Sequence, residues 1–160
     1  MPARNATIAA GTETRDADER LLWMGEPTII KATGRETSGR YTLIEILATP
    51  AGLVPRHVHH REDEAFYVLE GAVTFQIGDQ AVEGVPGTFV VGPKDIPHSY
   101  TVKTPSARML MLFSPAGFEG FIRATSEPTD SLETPEPETV NIDFEKILSA
   151  AAAYGAEVLE

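Results

Sequence analysis

Short runs of apolar and β-branched residues, separated by turn-forming residues, fill the chain from about residue 22 to residue 114. The clearest runs are Thr28–Ala32, Tyr41–Leu47, Ala65–Leu69, Val73–Ile77, Thr88–Val91, Ser99–Val102 and Arg108–Phe113. They recur roughly every ten residues with Gly, Pro and Asp between them, which is typical of a sandwich or barrel of short strands. Gly78-Asp79 between two such runs predicts a tight hairpin. The pattern therefore predicts an all-β domain.

The spacing of apolar residues changes after the last of these runs. Phe118, Phe121 and Ile122 share one face of a short predicted helix. A second helix is predicted to begin after Asp143, which can cap its first turn, and to continue through Tyr154. We therefore expect two short α-helices near the C-terminus.

These patterns divide the chain into three segments. Residues 1–20 lack apolar periodicity and predict a flexible N-terminal arm or a segment that packs against a partner subunit. Residues 21–114 form the predicted barrel, and residues 115–160 form C-terminal helices that pack on it. At 160 residues, the chain suits one domain with one core.

Composition and charge narrow the possible functions. The net charge of −11 argues against nucleic-acid binding, because phosphate neutralisation requires a basic surface. No apolar run approaches the roughly 18 residues that cross a bilayer, so we expect no membrane segment. No secretory signal is evident, and we expect a cytoplasmic protein. The chain has no cysteine, which excludes disulfides and Cys-ligated metal sites.

Four residues form the most informative constellation. His57 and His59 are two residues apart, so on a strand their side chains point to the same side. Glu64 begins the next apolar run, and His98 begins a later one. Three imidazoles and one carboxylate suit iron, manganese, nickel, cobalt, copper or zinc, whereas calcium and magnesium prefer oxygen ligands. We expect one divalent transition metal ion at His57, His59, Glu64 and His98.

Two alternatives stay open around this stretch. Glu62 or Asp63 could supply the carboxylate, although spacing and the neighbouring apolar run favour Glu64. His60 should point to the opposite side from His57 and His59, so we expect it to be solvated or to support a ligand.

The stretch resembles the first motif of the cupin superfamily. That motif has the form G-x5-H-x-H-x3–4-E-x6-G, and the chain matches it from His57 through His59 and Glu64 to Gly71. Gly52 stands one residue closer to the first histidine than the family pattern has it.

A second cupin motif, G-x5-P-x-G-x2-H-x3-N, follows in the expected order. Gly87, Pro93 and His98 match it, whereas Asp95 and Val102 stand in place of the family's Gly and Asn. Neither departure removes a metal ligand, and two motifs in order make the resemblance specific.

The resemblance implies a jelly-roll barrel (a double-stranded β-helix) with one divalent metal near its centre. The chain is similar to single-domain bacterial quercetin 2,3-dioxygenase-like cupins, which implies a homodimer, an aromatic small-molecule substrate and O2. In this interpretation Glu64 removes a proton from a flavonol, polyketide or other phenolic substrate. The alternatives are a cupin isomerase, cyclase or decarboxylase that uses the metal as a Lewis acid, and a binding protein without catalysis.

Alternation along the strands also gives candidates for the substrate pocket. If Glu64 points inward, the residues two and four positions further do so as well. The candidates are Phe66, Val68, Phe75, Phe89, Met109, Met111, Phe118 and Phe121. These residues form either an ordinary core or an apolar cavity for a flat aromatic molecule. Tyr67 and Tyr100 could donate hydrogen bonds there.

Overall fold

The computed structural model describes residues 19–159, and the predicted N-terminal arm lies outside them except for Glu19 and Arg20, which begin the first strand. Residues 19–159 form two antiparallel β-sheets with short helices, which confirms the all-β prediction. None of the helices among these residues is long and apolar enough to span a membrane.

The larger sheet has seven strands in the order β11-β1-β2-β3-β10-β5-β8. Its strands are β1 (Glu19–Trp23), β2 (Glu26–Ala32), β3 (Thr42–Ala48), β5 (Asp63–Glu70), β8 (Phe89–Gly92), β10 (Ala107–Ser114) and β11 (Ser126–Pro128). The smaller sheet has five strands in the order β12-β4-β9-β6-β7. Its strands are β4 (His57–His59), β6 (Val73–Ile77), β7 (Gln80–Gly84), β9 (His98–Val102) and β12 (Ala156–Val158).

Alternation of buried and more exposed residues along the strands builds the core. In β3 every second residue, from Thr42 through Ile44 and Ile46 to Ala48, is buried. The neighbouring β10 places Met109 opposite Ile46, and the two strands bury matching faces. Residues of both sheets join one buried apolar cluster. The core therefore lies between the sheets, as period-two alternation requires.

Three helices flank the sheets: α1 (Gly34–Thr37), α2 (Glu119–Ala124) and α3 (Phe144–Ala153), with a 3₁₀ turn at Pro137–Thr139. Asp143 caps α3, because its side chain accepts a hydrogen bond from the Lys146 amide at 3.0 Å. This cap agrees with the sequence-based prediction of the helix start.

The segment after β10 is fixed to the barrel by Glu119. Its carboxylate accepts hydrogen bonds from the amides of Gly34 at 2.9 Å and Gly117 at 2.7 Å, and from the Thr42 hydroxyl. Burial opposes ionisation of Glu119, but these hydrogen bonds outweigh it and lower its pKa. The C-terminal helices thus start from a defined position at one end of the sheets.

Candidate metal centre

Strands of both sheets bring the candidate ligands together. β4 carries His57 and His59, whose side chains share one side of the strand. β9 runs antiparallel to β4 and places His98 opposite His57. Glu64 comes from β5 in the other sheet. The four side chains therefore meet between the two sheets.

One carboxylate oxygen lies at the centre of this cluster. Glu64 Oε2 is 2.8 Å from His98 Nε2, 3.0 Å from His59 Nε2 and 3.7 Å from His57 Nε2. One ligand atom from each of the four residues lies within 4.8 Å of the others. Such a set of three imidazoles and one carboxylate can bind one divalent transition metal ion.

Hydrogen bonds on the far side of two imidazole rings set their protonation. His57 Nδ1 lies 2.8 Å from the Pro55 carbonyl oxygen, and His98 Nδ1 lies 3.2 Å from the Ile96 carbonyl oxygen. A carbonyl oxygen only accepts, so Nδ1 carries the hydrogen in each ring. Nε2 of each ring then faces the cluster. In His98 it donates a hydrogen bond to Glu64 Oε2 at 2.8 Å, and it would offer its lone pair to a bound metal once that hydrogen is lost. Metal-binding histidines are commonly oriented in this way.

Glu62 performs the same task for the third ring. Its carboxylate is buried, and its Oε1 lies 2.8 Å from His59 Nδ1. Asp63 is exposed and accepts a hydrogen bond from the Lys94 amide at 2.7 Å. Of the three neighbouring acids, Glu64 is therefore the one whose carboxylate joins the cluster, and Glu62 orients His59 from behind.

The charges of the cluster favour a cation. Burial opposes ionisation of Glu64, but the three surrounding imidazoles hold its pKa well below the usual value. Burial also opposes the charged form of His59, yet the carboxylates of Glu62 and Glu64 outweigh it and raise the pKa of His59 to about 9. Two buried carboxylates beside one imidazole thus attract positive charge.

A buried nitrogen supports the same conclusion. His59 Nε2 is the one fully enclosed side-chain polar atom in residues 19–159 without a hydrogen bond, even though Glu64 Oε2 lies 3.0 Å away. A metal ion would satisfy both atoms, so the residues fit a divalent metal.

His60 directly follows β4, the strand that carries His57 and His59 and that we call the metal strand. Its ring points to the outer side of this strand, as its position next to His59 predicts. Its Nδ1 lies 2.8 Å from Asp95 Oδ1, and its Nε2 lies 3.1 Å from Glu157 Oε2. These hydrogen bonds raise the pKa of His60, whose ring is about half exposed. The ring links β12 to the loop before β9 and takes no part in the cluster.

A narrow cavity of about 70 Å³ lies beside the cluster, with His57, His59 and Glu64 in its wall. Most of the remaining wall is apolar and includes Trp23, Ile46, Met111, Phe118, Phe121 and Ile147. Two further polar side chains, Glu26 and Tyr100, also line it. Burial raises the pKa of Tyr100 well above its usual value, and the charges of Glu26 and Glu64 add to this. Tyr100 therefore keeps its proton.

The predicted pocket residues divide into three groups. Met111, Phe118 and Phe121 line the cavity. Phe66, Val68, Phe75 and Met109 are buried in the core between the sheets and do not line it. These four point inward, as predicted, but they belong to the buried core and not to the cavity wall.

Phe89 requires a correction, because its side chain is 63% exposed. β8 pairs with β5 so that Phe66 lies opposite Val90 and Tyr67 lies opposite Phe89. Residues directly opposite each other point to the same face, and Phe66 points inward. Phe89 and Tyr67 therefore point outward. Three successive apolar residues in β8 leave the direction of alternation undefined in the sequence.

Glu26 is the polar cavity residue that sequence reasoning missed. It begins β2, where Glu26, Thr28 and Ile30 are buried in alternation. The signal available in the sequence was the spacing of Glu26, Thr28 and Ile30, which places the three side chains on one face of a strand. The acidic residue and the following proline instead resemble a turn in the sequence.

This fold and this site define a class of protein. The Cupin domain family matches residues 45–114, which run from β3 to the end of β10 and include all four cluster residues. The barrel region of the chain is thus similar to the Cupin domain family, and its cluster can bind one divalent metal ion.

Among individual proteins, the chain is similar to a quercetin 2,3-dioxygenase of Bacillus subtilis (strain 168), with 27% identity over 170 aligned positions. The alignment covers 99% of this chain and 50% of that protein, so the chain spans about half the length of this relative.

Solved structures of other proteins resemble the fold. KdgF from Halomonas sp. matches with a TM-score of 0.55 and 22% identity over 66% of this chain and 94% of that one. A nucleoside dehydratase of Streptomyces matches with a TM-score of 0.56 and 15% identity over 81% of this chain and 97% of that one. At these identities the structural matches concern the fold alone.

Proposed function

We propose that the protein is a metal-dependent dioxygenase acting on a flavonol, polyketide or other phenolic substrate. The observation that carries this proposal is the position of the cluster: His57, His59 and Glu64 lie in the wall of an otherwise mainly apolar cavity. Such a cavity suits an aromatic molecule with a polar end. The similarity to a quercetin 2,3-dioxygenase over almost the whole chain supports the same substrate class.

Glu64 is the residue that moves the proton in this proposal. A divalent metal held by His57, His59, Glu64 and His98 supplies a Lewis acid for an oxyanion. The Glu64 carboxylate is ionised, because its pKa is held well below the usual value, and it lines the cavity. Because a bound metal would lower the pKa of a substrate hydroxyl, Glu64 could take its proton, breaking the O–H bond and leaving the electron pair on oxygen. Dioxygen is the oxidant of the subsequent ring cleavage.

The walls of the cavity hold the rings and exclude water. Phe118 lies edge-on to His59, with ring centroids 4.7 Å apart, and stacks on Phe121 at 4.8 Å. A flat substrate can pack against this aromatic wall with its hydroxyl toward Glu64. A cavity of about 70 Å³ is smaller than the roughly 150 Å³ that accepts a benzene molecule. Substrate binding therefore requires outward movement of part of the wall.

The proposal is tested by oxygen-dependent turnover. Protein without an affinity tag is analysed for metal and then incubated with quercetin in air and under nitrogen. We expect stoichiometric metal, loss of quercetin absorbance in air alone, and at least a 100-fold slower reaction in Glu64→Gln, as the loss of a general base predicts. His60→Ala is the control, because that ring faces solvent, and we expect unchanged turnover.

Two results would contradict the proposal. Turnover that persists without oxygen assigns the protein to the isomerases, cyclases or decarboxylases of this superfamily. Tight binding without any product assigns it to binding proteins without catalysis.

Two further expectations from the sequence, the pairing of two copies and a cytoplasmic location, stay predictions.

A further inference from the structure

Glu26 is a buried carboxylate that the proposed chemistry does not use. The turn before it, Met24-Gly25, has positive φ at both residues, 50° and 82°, as a tight two-residue hairpin requires. This turn starts β2 at Glu26 and directs its side chain into the cavity, where it is 3% exposed. A buried carboxylate in a mainly apolar wall needs polar partners, because its desolvation is costly.

The structure supplies only part of those partners. The Thr49 amide donates a hydrogen bond to Glu26 Oε2 at 2.7 Å. Within residues 19–159, no other hydrogen bond reaches the carboxyl group, and Oε1 has no donor. Burial raises the pKa of Glu26 to about 7, although the Thr49 amide opposes the rise. One oxygen thus lacks a donor from the described protein.

Gly52 makes the room that this carboxylate occupies. A Cβ atom built on Gly52 would lie 2.6 Å from both the carboxyl carbon and Oε2 of Glu26. Any larger residue at this position would therefore displace the carboxylate from its bond with Thr49. The loop before the metal strand is shaped around the Glu26 side chain.

Tyr100 places a second polar group in the same wall. It lines the cavity together with Glu26 and Glu64, and the charges of both carboxylates affect its hydroxyl. The cavity therefore offers an acceptor at Glu26 and a donor at Tyr100, in addition to the metal cluster.

We propose that Glu26 binds a second hydroxyl of the substrate, so that the cavity selects aromatic molecules with at least two hydroxyl groups. One hydroxyl lies at the metal cluster and loses its proton to Glu64. The other donates a hydrogen bond to Glu26 Oε1, and its oxygen can accept one from Tyr100. The first assignment rests on the proposed function, whereas the second concerns recognition and requires no turnover.

Binding without oxygen tests this inference apart from catalysis. The metal-loaded protein is titrated under nitrogen with quercetin, which has several hydroxyls, and with 3-hydroxyflavone, which has one. We expect Glu26→Gln to raise the Kd for quercetin about tenfold, as loss of a hydrogen bond to a charged group does, and to leave the Kd for 3-hydroxyflavone unchanged. Gln can still accept the Thr49 hydrogen bond, so the fold should be retained.

A second variant and a control complete the experiment. Gly52→Ala leaves the carboxylate in the chain but displaces it, and we expect the same selective loss for quercetin. Glu83→Gln changes an exposed carboxylate on β7 that bonds to the Thr74 hydroxyl, and binding should not change. Thermal unfolding of each variant verifies that it is folded.

Each result separates the two proposals. Equal loss for both flavonols in Glu26→Gln, or no loss for either, overturns the role of Glu26. Failure of the wild-type protein to bind either flavonol overturns this inference together with the flavonol substrate class. Selective loss for quercetin without oxygen-dependent turnover supports the role of Glu26 and overturns the dioxygenase.

Discussion

Single residues behind the ligands decide how the metal centre is presented. Glu62 shows this most clearly. Within residues 19–159, its buried carboxylate has one hydrogen-bond partner, the Nδ1 of His59. By accepting the Nδ1 hydrogen, it directs the His59 Nε2 lone pair to the cluster. It also adds negative charge next to a ring that would bind a cation. Glu62 is therefore a positioning residue for the metal.

We expect Glu62→Ala to weaken metal retention about 10- to 100-fold, as the loss of such outer partners typically does. Glu62→Gln should restore most of the affinity, because its amide oxygen can still accept the Nδ1 hydrogen. Competition with a chelator measures both, and His60→Ala is the control. A merely structural role would lower stability in Glu62→Ala without the rescue by Gln. Equal affinity in all three variants would contradict the assignment.

Glu26 gives a residue-scale prediction on stability and pH. Its pKa is raised from 4.5 to about 7 in the folded protein, because burial opposes the charged form. Between these values the folded protein binds more protons than the unfolded chain, so this contribution to stability falls as pH rises. The shift corresponds to about 3 kcal/mol, which is fully present below pH 4.5 and lost above about pH 7.

Glu26→Gln should remove this pH dependence, since the amide does not titrate. Urea unfolding of both proteins across that range gives the difference in free energy of unfolding. We expect the difference to change in favour of Gln by about 3 kcal/mol from low to high pH. Metal release at low pH affects both proteins alike and cancels. Parallel curves would show that Glu26 stays ionised in the folded state.

At the scale of elements, sequence patterns predicted what depends on local spacing. The alternation of His57 and His59 placed both rings on one side of a strand, and β4 has that arrangement. The Asp143 cap and the apolar positions after it predicted a helix through Tyr154, close to the observed α3. In each case the chain carries the information within a few residues.

Elements that depend on distant contacts were not predictable in this way. β12 has three residues, too few to show a period, and it exists because Ala156 and Val158 pair with His59 and His57. β11 is equally short and pairs with β1. Glu26 resembled a turn residue, and its role emerges from Gly52 and Thr49, more than twenty residues away.

At the scale of the whole molecule, the C-terminal segment completes the site that the barrel begins. β12 lies next to the metal strand, and the His60 ring connects the two through Glu157. Residues of α2 and α3 form one side of the cavity, including Phe121, Ile147 and Ala151. The metal cluster itself belongs to the barrel. The helices of the C-terminal segment are therefore the part of the cavity wall that contains none of the four ligands.

The position of α3 in the cavity wall predicts a large effect of substitution at one residue and almost none at its neighbour. Ile147 is buried and lines the cavity, whereas Leu148 is 52% exposed. Ile147→Ala should lower the free energy of unfolding by about 2–5 kcal/mol and, by enlarging the cavity, strengthen quercetin binding under nitrogen. Leu148→Ala should change stability by less than about 0.5 kcal/mol and leave binding unchanged. If both variants bind quercetin like the wild type, the C-terminal wall does not limit access, and the opening lies in the loop before β4.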